Sequence, residues 1–284
     1  MEINLNKFKI ADCIHGIMTY PINDTVIGLC LKHYGEWAEG ENILMSKFIS
    51  EGDIVLDIGA NIGTTTLSLS KNVSDSGKVI AFEPQDIVSQ CLQTNLTLND
   101  ITNVSVFNAA VSNQNGWAKI NDKEFSKSGR YGEAGISETG TRVKTLKLDE
   151  LELNDCSLIK IDIEGHEWEA IQGGKNLLKK FKPVLYMEAK KEIKGTQKCL
   201  EWLMTNGWKC YWHFAFWYRK NNFKKNNNTA IFQSVGIGIG DMNFLAVPKE
   251  KEQPKNLPKI LKHDEEWTEE NYRSFFEKNN FKSI

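Results

Sequence analysis

Short apolar runs alternate with longer segments of helical periodicity between about residues 51 and 248. This alternation is typical of a parallel β-sheet whose two faces are covered by helices. It predicts an α/β fold with a Rossmann-like, doubly wound sheet of seven strands. The predicted strands are Ile54–Ile58, Val79–Phe82, Val104–Phe107, Leu158–Ile163, Val184–Met187, Cys210–Phe214 and Phe244–Val247, and the predicted helices cover residues 63–72, 86–99, 166–180 and 196–206.

The last two predicted strands have no helical segment between them. Because a parallel pair needs a crossover of about a dozen residues or more, usually a helix, this pair is expected to be antiparallel. The sheet is therefore predicted to be mostly parallel with an antiparallel final strand. The stretch that joins the pair, residues 219–241, is rich in Asn and Gly and is also a candidate working loop.

The other segments divide the chain into three parts. Residues 1–50 precede the first sheet strand, and residues 51–248 form the core. Within the core, residues 111–157 are a long non-helical connection whose polar–apolar alternation predicts small strands of its own. Such an insertion is either a substrate lid or a surface decoration. Residues 249–284 are a charged linker followed by a predicted short helix near 265–279.

The composition excludes several classes of protein. Of the 284 residues, 40% are hydrophobic and 25% are charged, which is typical of a soluble globular protein rather than a disordered or fibrous one. The net charge of −2 provides no global basic field, although a local basic patch is compatible with it. Neither nucleic acid nor an anionic lipid surface is therefore an expected partner.

No apolar stretch approaches the ~18–20 residues that span a bilayer, so no membrane span is predicted. The first residues lack the features of a secretory signal peptide, which favours a cytoplasmic location. The six cysteines are scattered, without a CxxC or CxxH pair. This spacing argues against a zinc site and a disulfide scaffold, and it favours buried, hydrophobic roles for the cysteines.

The first predicted strand runs into a turn with two glycines, Asp57-Ile58-Gly59-Ala60-Asn61-Ile62-Gly63, and then into a predicted helix. Gly59 permits positive φ or a close approach of a ligand, and Gly63 permits tight packing at a helix start whose N–H groups are donors. A dinucleotide fingerprint has glycine in place of Asn61, and the carboxylate of Asp57 is unfavourable beside a pyrophosphate. A ligand with an ammonium and a sulfonium group suits that carboxylate, so S-adenosylmethionine is the expected cofactor.

The second predicted strand ends in Ala81-Phe82-Glu83-Pro84, about twenty residues farther along, as the ribose-binding rule requires. An acid there can accept hydrogen bonds from both ribose hydroxyls. Asn108 and Ala109 end the third strand and are expected beside the adenine, unless Asn108 only caps a turn. A structural turn with a solvated glutamate is the alternative to this cofactor site. The predicted cofactor contacts are Asp57, Gly59, Asn61, Gly63, Glu83, Asn108 and Ala109.

Three acidic residues follow the fourth and fifth strands. Asp162 and Glu164 are two residues apart, so an extended chain points both to one side, and Glu188 ends the next strand. The three are expected to converge, because ligands bind at the carboxyl ends of strands in such sheets. Methyl transfer to a hydroxyl benefits from a base or from a metal that acidifies the hydroxyl. We predict Asp162 as the catalytic base or hydroxyl-orienting acid, assisted by Glu164 and Glu188.

Alternative interpretations of these acids stay open. The trio would also suit Mg²⁺ or Ca²⁺ as oxygen ligands, although we favour a site without a metal. Glu164 has a second interpretation, in which it only stabilises the amino end of the following helix. His166 is expected to be a satisfied histidine of the first helical turn rather than a catalyst.

A strongly aromatic run, Tyr211–Tyr218, is followed by Asn221, Asn222 and Phe223. Aromatic faces beside amide groups are suited to contact with a sugar or another amphipathic acceptor. Packing in the core or at an interface is the alternative, and it is the commoner use of such a run.

Taken together, residues 13–248 resemble the FkbM family of S-adenosylmethionine-dependent methyltransferases. The resemblance implies a class I methyltransferase sheet and the methylation of hydroxyls on sugars or polyketide-type products. It also implies that the N-terminal region, through Tyr20–Asp24 and Tyr34–Trp37, caps the site. The core segments that carry the resemblance are Val55–Gly63, Ala81–Pro84, Asn108–Ser112 and Ile159–Glu167.

The leading hypothesis is an O-methyltransferase that acts on a hydroxyl of a carbohydrate or related metabolite, with a small molecule or glycan as acceptor. The alternative enzyme is an NAD(P)-dependent oxidoreductase, which Asn61 and Asp57 disfavour. A non-catalytic glycan-binding protein on the same fold is the alternative outside enzymes. The acidic trio is also similar to that of metal-dependent catechol-type O-methyltransferases, but the chain lacks their Asp-Asn pair at the fifth strand, which disfavours a metal.

Overall fold

The computed structural model describes residues 7–121, 127, 129–132, 134–189, 194–228, 231, 240–265, 268, 270–271 and 274. The strands are β1 (Phe8–Cys13), β2 (Gly16–Pro21), β3 (Ile54–Ile58), β4 (Lys78–Phe82), β5 (Val104–Phe107), β6 (Ala110–Val111), β7 (Gly116–Ile120), β8 (Ile136–Ser137), β9 (Thr141–Leu146), β10 (Leu158–Ile161), β11 (Val184–Glu188), β12 (Trp208–Phe216) and β13 (Gly240–Pro248). The helices are α1 (Ile27–His33), α2 (Glu39–Ser46), α3 (Thr64–Val73), α4 (Asp86–Leu98), α5 (Glu167–Gly173), α6 (Lys175–Phe181), α7 (Lys194–Thr205) and a 3₁₀ helix at Leu148–Glu150.

The main sheet of the described residues has seven strands in the order β12-β13-β11-β10-β3-β4-β5. From β11 to β5 the neighbours are parallel, whereas β13 is antiparallel to both β11 and β12. The predicted doubly wound, mostly parallel sheet with an antiparallel final strand is therefore confirmed. The chain winds outward in both directions from β3 and β10, and ligands bind at such a switch point.

The central strands are apolar on both sides because helices cover both faces of the sheet. Leu56 and Ile58 of β3 pack into one core layer with Ile159 of β10. Val55 and Leu158 alternate with them and pack into the layer on the opposite face. This burial fixes the register of β3 against β10, and so it fixes where the two following loops meet.

The turn after β10 begins earlier than predicted. The strand ends at Ile161 rather than Ile163, because the backbone turns through positive φ values of 56° at Glu164 and 92° at Gly165. The prediction that the strand continues to Ile163 is therefore wrong, and the backbone turns toward the start of α5.

The helix predicted over residues 166–180 is divided into α5 and α6 at Gly174. A Cβ on Gly173 would lie 2.0 Å from the carbonyl oxygen of Ser112, and a Cβ on Gly174 would lie 2.9 Å from the side chain of Leu148. Both glycines therefore permit a contact between this helix pair and the insertion that no larger residue allows. The break follows from packing between distant segments.

The insertion forms its own small sheet in the order β6-β9-β7-β8, as its alternating pattern predicts. It is attached to the N-terminal region at Gly129, whose N–H donates to Asn23 O at 3.2 Å and whose carbonyl accepts from Thr25 N at 3.1 Å. The two segments that lie outside the doubly wound sheet therefore meet each other.

All six cysteines are free and buried, as the sequence predicts. No helix in the described ranges is long and apolar enough to cross a membrane. Most of the predicted helix near 265–279 lies outside the described residues. Residues 229–230 and 232–239 of the joining stretch lie wholly outside them.

Candidate active site

A cavity of about 360 Å³ lies at the carboxyl ends of the central strands, where the loops after β3, β4, β10 and β11 meet. This volume falls within the ~300–1,000 Å³ that small-molecule sites occupy. The N-terminal region and the insertion also contribute to its wall, through residues such as Asp24, Trp37, Arg130 and Gly132. The cavity is thus built from several stretches of the chain that are far apart in sequence.

The loop between β3 and α3 forms part of the cavity wall. Gly59 has a φ of 81°, and a Cβ there would lie 1.8 Å from the carbonyl oxygen of Asp162, so glycine is needed where the two loops touch. Asn61 also has a positive φ, 51°, and its side-chain oxygen accepts a 2.7 Å hydrogen bond from Ile62 N. Gly63 is the N-cap of α3, which has no side-chain cap among its described residues.

Glu83 follows β4 and is held by the backbone on both sides. One carboxylate oxygen accepts from Asn61 N at 3.0 Å, and the other accepts from Gln85 N at 2.9 Å. The residue is only 4% exposed, yet it lines the cavity. Burial raises the pKa of Glu83 to about 7, and the two backbone hydrogen bonds oppose that rise. Each oxygen retains acceptor capacity for a ligand hydroxyl.

Lys160 connects the glycine loop to the acid after β10. Its Nζ donates to Gly59 O at 2.8 Å and lies 3.5 Å from a carboxylate oxygen of both Asp57 and Asp162. Burial lowers the pKa of Lys160, but Asp162, Asp57 and Glu41 outweigh it and raise the pKa above its ordinary value. Lys160 is therefore charged at neutral pH and fixes the positions of both aspartates.

The three predicted catalytic acids meet in the cavity. Asp162, Glu164 and Glu188 each place a carboxylate oxygen within 4.8 Å of the others. The convergence arises from the left-handed turn at Glu164 and not from a continuous strand. Burial, followed by the charge of Asp162, raises the pKa of Glu188 well above its ordinary value.

Two further acids extend this group. Glu41 of α2 and Asp241 of β13 both line the cavity. Burial and the charge of Asp162 raise the pKa of Glu41 to about 8. Asn243 donates to Glu41 Oε1 at 3.3 Å and to the carbonyl oxygen of Asp241 at 3.3 Å. The wall near β11 and β13 is therefore strongly acidic.

The predicted cofactor contacts divide into two groups. Gly59, Asn61, Glu83 and Ala109 line the cavity, as do all three predicted catalytic acids. Asp57, Gly63 and Asn108, although within the described residues, lie outside the cavity lining.

Each of the three residues outside the lining has another contact. Asp57 is fully buried, accepts from Thr66 Oγ1 at 2.7 Å and pairs with Lys160. A Cβ on Gly63 would lie 2.5 Å from a Leu92 methyl, so Gly63 serves packing. Asn108 donates to the carbonyl oxygens of Glu83, at 3.0 Å, and Pro84, at 3.2 Å. These residues support the cavity wall from behind.

His166 lines the cavity but is engaged on both ring nitrogens. Nε2 lies 3.0 Å from Ser112 Oγ and Nδ1 lies 3.6 Å from Glu169. Burial lowers the pKa of His166. Glu164 was considered as a residue that stabilises the amino end of the following helix. Glu167 lies at that helix end instead and accepts from Gly165 N at 3.0 Å. Both residues fix the turn that presents Asp162 and Glu164.

The aromatic run after α7 divides between packing and the cavity. Tyr211, Trp212 and Phe214 of β12 pack in the core, whereas Trp217 lines the cavity and stacks on Trp37 with ring centroids 5.7 Å apart. The guanidinium of Arg130 lies 5.9 Å from the centre of the Trp217 ring. Most of the run therefore has the structural role that we considered as the alternative.

Sequence reasoning assigned no role to Lys160, Glu41 or Asp241, and it included Trp37 only as part of the N-terminal cap. Lys160 did give a signal, since a lysine within a buried apolar strand is almost always paired with an acid. Glu41 and Asp241 gave none, because they lie far along the chain from the motifs that they join in the folded protein.

The strand order, with a cavity at the switch point, is that of the class I methyltransferase fold. The methyltransferase FkbM domain family matches residues 57–210, which is more than half of the chain. This protein belongs to the FkbM methyltransferase family, and the predicted resemblance is confirmed.

Individual relatives are more distant. The hexuronic acid methyltransferase AglP of Haloferax volcanii is 29% identical over 140 residues, which are 48% of this chain and 55% of that relative. The match thus spans little more than half of AglP. The structure of methyltransferase FkbM from Methylobacillus flagellatus is 16% identical, with a TM-score of 0.48 over 70% of this chain and 44% of the other. A Thermotoga maritima S-adenosylmethionine-dependent O-methyltransferase is 14% identical, with a TM-score of 0.44 over 88% and 89%.

Proposed function

We propose that this protein is an S-adenosylmethionine-dependent O-methyltransferase that acts on a hydroxyl of a carbohydrate or related metabolite. The observation that carries the proposal is that Glu83, the glycine loop and the trio of Asp162, Glu164 and Glu188 line a single cavity. This shared lining supports the proposal, because the proposed ribose-binding acid and the proposed bases face the same cavity.

The residues of this cavity fit S-adenosylmethionine. The two oxygens of Glu83 can accept from the ribose hydroxyls, with Asn61, Gly59 and Ala109 forming the surrounding wall. When bound, the cofactor supplies a methyl group on a positively charged sulfonium. The carboxylates of the cavity favour that charge.

The other predicted cofactor residues act indirectly in this proposal. Asp57 fixes Lys160, which holds the carbonyl of Gly59 and the carboxylate of Asp162. Gly63 allows α3 to begin close to the loop, and Asn108 holds the backbone around Glu83. We therefore assign direct contact with the cofactor to Gly59, Asn61, Glu83 and Ala109.

Asp162 is the proposed base or hydroxyl-orienting residue. Its side chain is 44% exposed and is held by Lys160 at 3.5 Å. A carboxylate in this position can orient the acceptor hydroxyl and take its proton as the oxygen attacks the methyl carbon. Glu164 and Glu188 surround the same point and can bind neighbouring polar groups of the acceptor.

A carbohydrate acceptor is supported by the chemistry of the cavity and by one relative. Trp37 and Trp217 provide aromatic surface, and the acids and Asn243 provide hydrogen-bonding groups. The relative from Haloferax volcanii is named as a hexuronic acid methyltransferase.

We also propose that residues 1–50 act as a cap, 51–248 as the catalytic core with its insertion at 111–157, and 249–284 as a peripheral tail.

The test is transfer of a labelled methyl group from S-adenosylmethionine to a panel of glycans, nucleotide sugars and lipids. We expect label in a carbohydrate product, lost on Asp162→Asn substitution. Retention of full activity by that variant would contradict the role of Asp162, and the absence of label from every acceptor would contradict the function.

A further inference from the structure

Two stacked tryptophans form a part of the cavity that the proposed cofactor contacts leave unused. Trp37 precedes α2, Trp217 follows β12, and their rings are 5.7 Å apart with an interplanar angle of 27°. Trp217 is 3% exposed and supports Trp37, which is only half-buried. A rigid aromatic face at the wall of a cavity is suited to the apolar face of a sugar ring.

A connected set of polar groups adjoins these tryptophans. The indole N–H of Trp217 donates to the carboxylate of Asp241. Asn243 donates to Glu41 and to the backbone of Asp241, so the three polar residues form one network. Carboxyl and amide groups both pair with hydroxyls, which donate and accept in turn.

The charge of this region disfavours an anionic acceptor. Glu41 and Asp241 adjoin the carboxylate trio, and the mutual repulsion already raises the pKa of Glu188 beyond the effect of burial. The described lining contains one lysine and one arginine. The lysine, Lys160, already forms ion pairs with Asp57 and Asp162. Because Glu41 and Glu188 already have raised pKa values in this group of acids, an additional carboxylate requires further proton uptake, and this cost reduces the affinity for an anionic ligand.

We propose that Trp37, Glu41, Asp241 and Asn243 form the acceptor subsite, and that this subsite selects a pyranose that bears hydroxyls and no carboxylate. The inference rests on the proposed function and names its substrate class. It sets this chain apart from a relative that is named for a hexuronic acid. Arg130, which lies over Trp217, is the residue that would bind a carboxylate if the inference were wrong.

The direct test measures binding to the full chain saturated with S-adenosylhomocysteine. Methyl pyranosides of the gluco, galacto and manno series are compared by calorimetry with the matched uronides, which carry a carboxylate at C6. We expect at least one hexoside to bind about tenfold or more tightly than its uronide. Equal or tighter binding of the uronide, or no binding of any hexoside, would overturn the inference.

An isosteric variant tests the charge. Asp241→Asn removes the negative charge but leaves an oxygen to accept from Trp217. We expect the hexoside-to-uronide affinity ratio to fall several-fold, mainly through improved uronide binding. An unchanged ratio would contradict the role of Asp241, and uronide binding that disappears in Arg130→Gln would assign the carboxylate to Arg130.

The stacking surface has a matched control on the insertion. Trp117 is 60% exposed, lies under the guanidinium of Arg142 at 4.3 Å, and is outside the described cavity lining. We expect Trp37→Ala to weaken hexoside binding about tenfold and Trp117→Ala to leave it unchanged. Unchanged S-adenosylhomocysteine binding verifies that Trp37→Ala is folded, and Trp37→Phe replaces it if not. Equal effects at the two tryptophans would refute the subsite.

Methyl transfer separates this inference from the proposed function. Label that enters uronides in preference to hexosides would overturn the selectivity alone. Hexoside binding without transfer of label to any acceptor would retain the subsite and overturn the proposed function.

Discussion

Glu83 has a pH dependence that can be measured through ligand binding. Its pKa is raised to about 7 by burial, and acceptance from two ribose hydroxyls requires the ionised form. Below pH 7, binding must therefore expel a proton. We expect the affinity for S-adenosylhomocysteine to be level above pH 8 and to fall by up to about tenfold per unit below pH 7.

Calorimetric titration between pH 8 and pH 6 measures this dependence. Glu83→Gln is the matched variant, because it removes the titrating group and retains one acceptor oxygen. It should bind more weakly than the native chain at pH 8 and show a much flatter profile. A flat profile in the native chain would rule out ribose recognition by an ionising Glu83.

Lys160 is predicted to stabilise the fold as well as the site. Lys160→Met leaves the fully buried Asp57 without its cation, and removal of one partner from a buried pair costs about 3–5 kcal/mol. Lys147→Met is the control, since Lys147 pairs with Glu150 at 3.5 Å on the surface, where such pairs contribute ~1 kcal/mol or less. Urea unfolding of both variants measures the difference. Similar losses for both would show that Lys160 does not compensate Asp57.

At the scale of elements, the approach of the β3 loop to the β10 loop depends on Gly59. Gly59→Ala introduces a Cβ 1.8 Å from the Asp162 carbonyl oxygen, whereas Gly52→Ala, at a similar φ of 89°, meets nothing closer than 3.7 Å. Both substitutions place alanine at an unfavourable positive φ, but only Gly59→Ala forces the β3 and β10 loops apart. We expect Gly59→Ala to reduce the free energy of unfolding by about 1–3 kcal/mol more than Gly52→Ala, and to weaken S-adenosylhomocysteine binding. Equal losses in unfolding experiments would contradict this packing.

The ends of β10 and β11 also bear on metal dependence. Asp162, Glu164 and Glu188 are close enough to bind a cation together, but Lys160 already lies 3.5 Å from Asp162. An ammonium beside the trio opposes a divalent ion. We therefore expect methyl transfer to be insensitive to EDTA. Activity that is lost with EDTA and restored by Mg²⁺ would make the trio metal ligands.

The elements that could be predicted from the sequence are those whose signal is local. The apolar runs of β3, β4 and β10 and the turn signals after them gave the sheet and the four predicted cavity-lining contacts. The break at Gly174 could not be predicted, because it depends on Leu148 and Ser112 of the insertion. The turn at Glu164 is similar, since a non-glycine residue at positive φ has no clear sequence signal.

In the molecule as a whole, the sequence did not predict the part of the site that long-range contacts build. Glu41 and Trp37 come from the N-terminal region, Arg130 from the insertion and Asp241 from the final strand. Of these residues, only Trp37 stands in a short motif that the sequence analysis singled out. Their shared position follows from the antiparallel insertion of β13 beside β11 and from the contact of α2 with the edge strand β12.

Ligand-dependent unfolding of the whole chain measures whether this cavity binds a sulfonium nucleoside, as we propose. At ~100 times its dissociation constant, S-adenosylhomocysteine should raise the free energy of unfolding by ~2.7 kcal/mol. NAD⁺ at the same concentration should leave the unfolding free energy unchanged. Stabilisation by NAD⁺ without stabilisation by S-adenosylhomocysteine would contradict the account and favour a dehydrogenase.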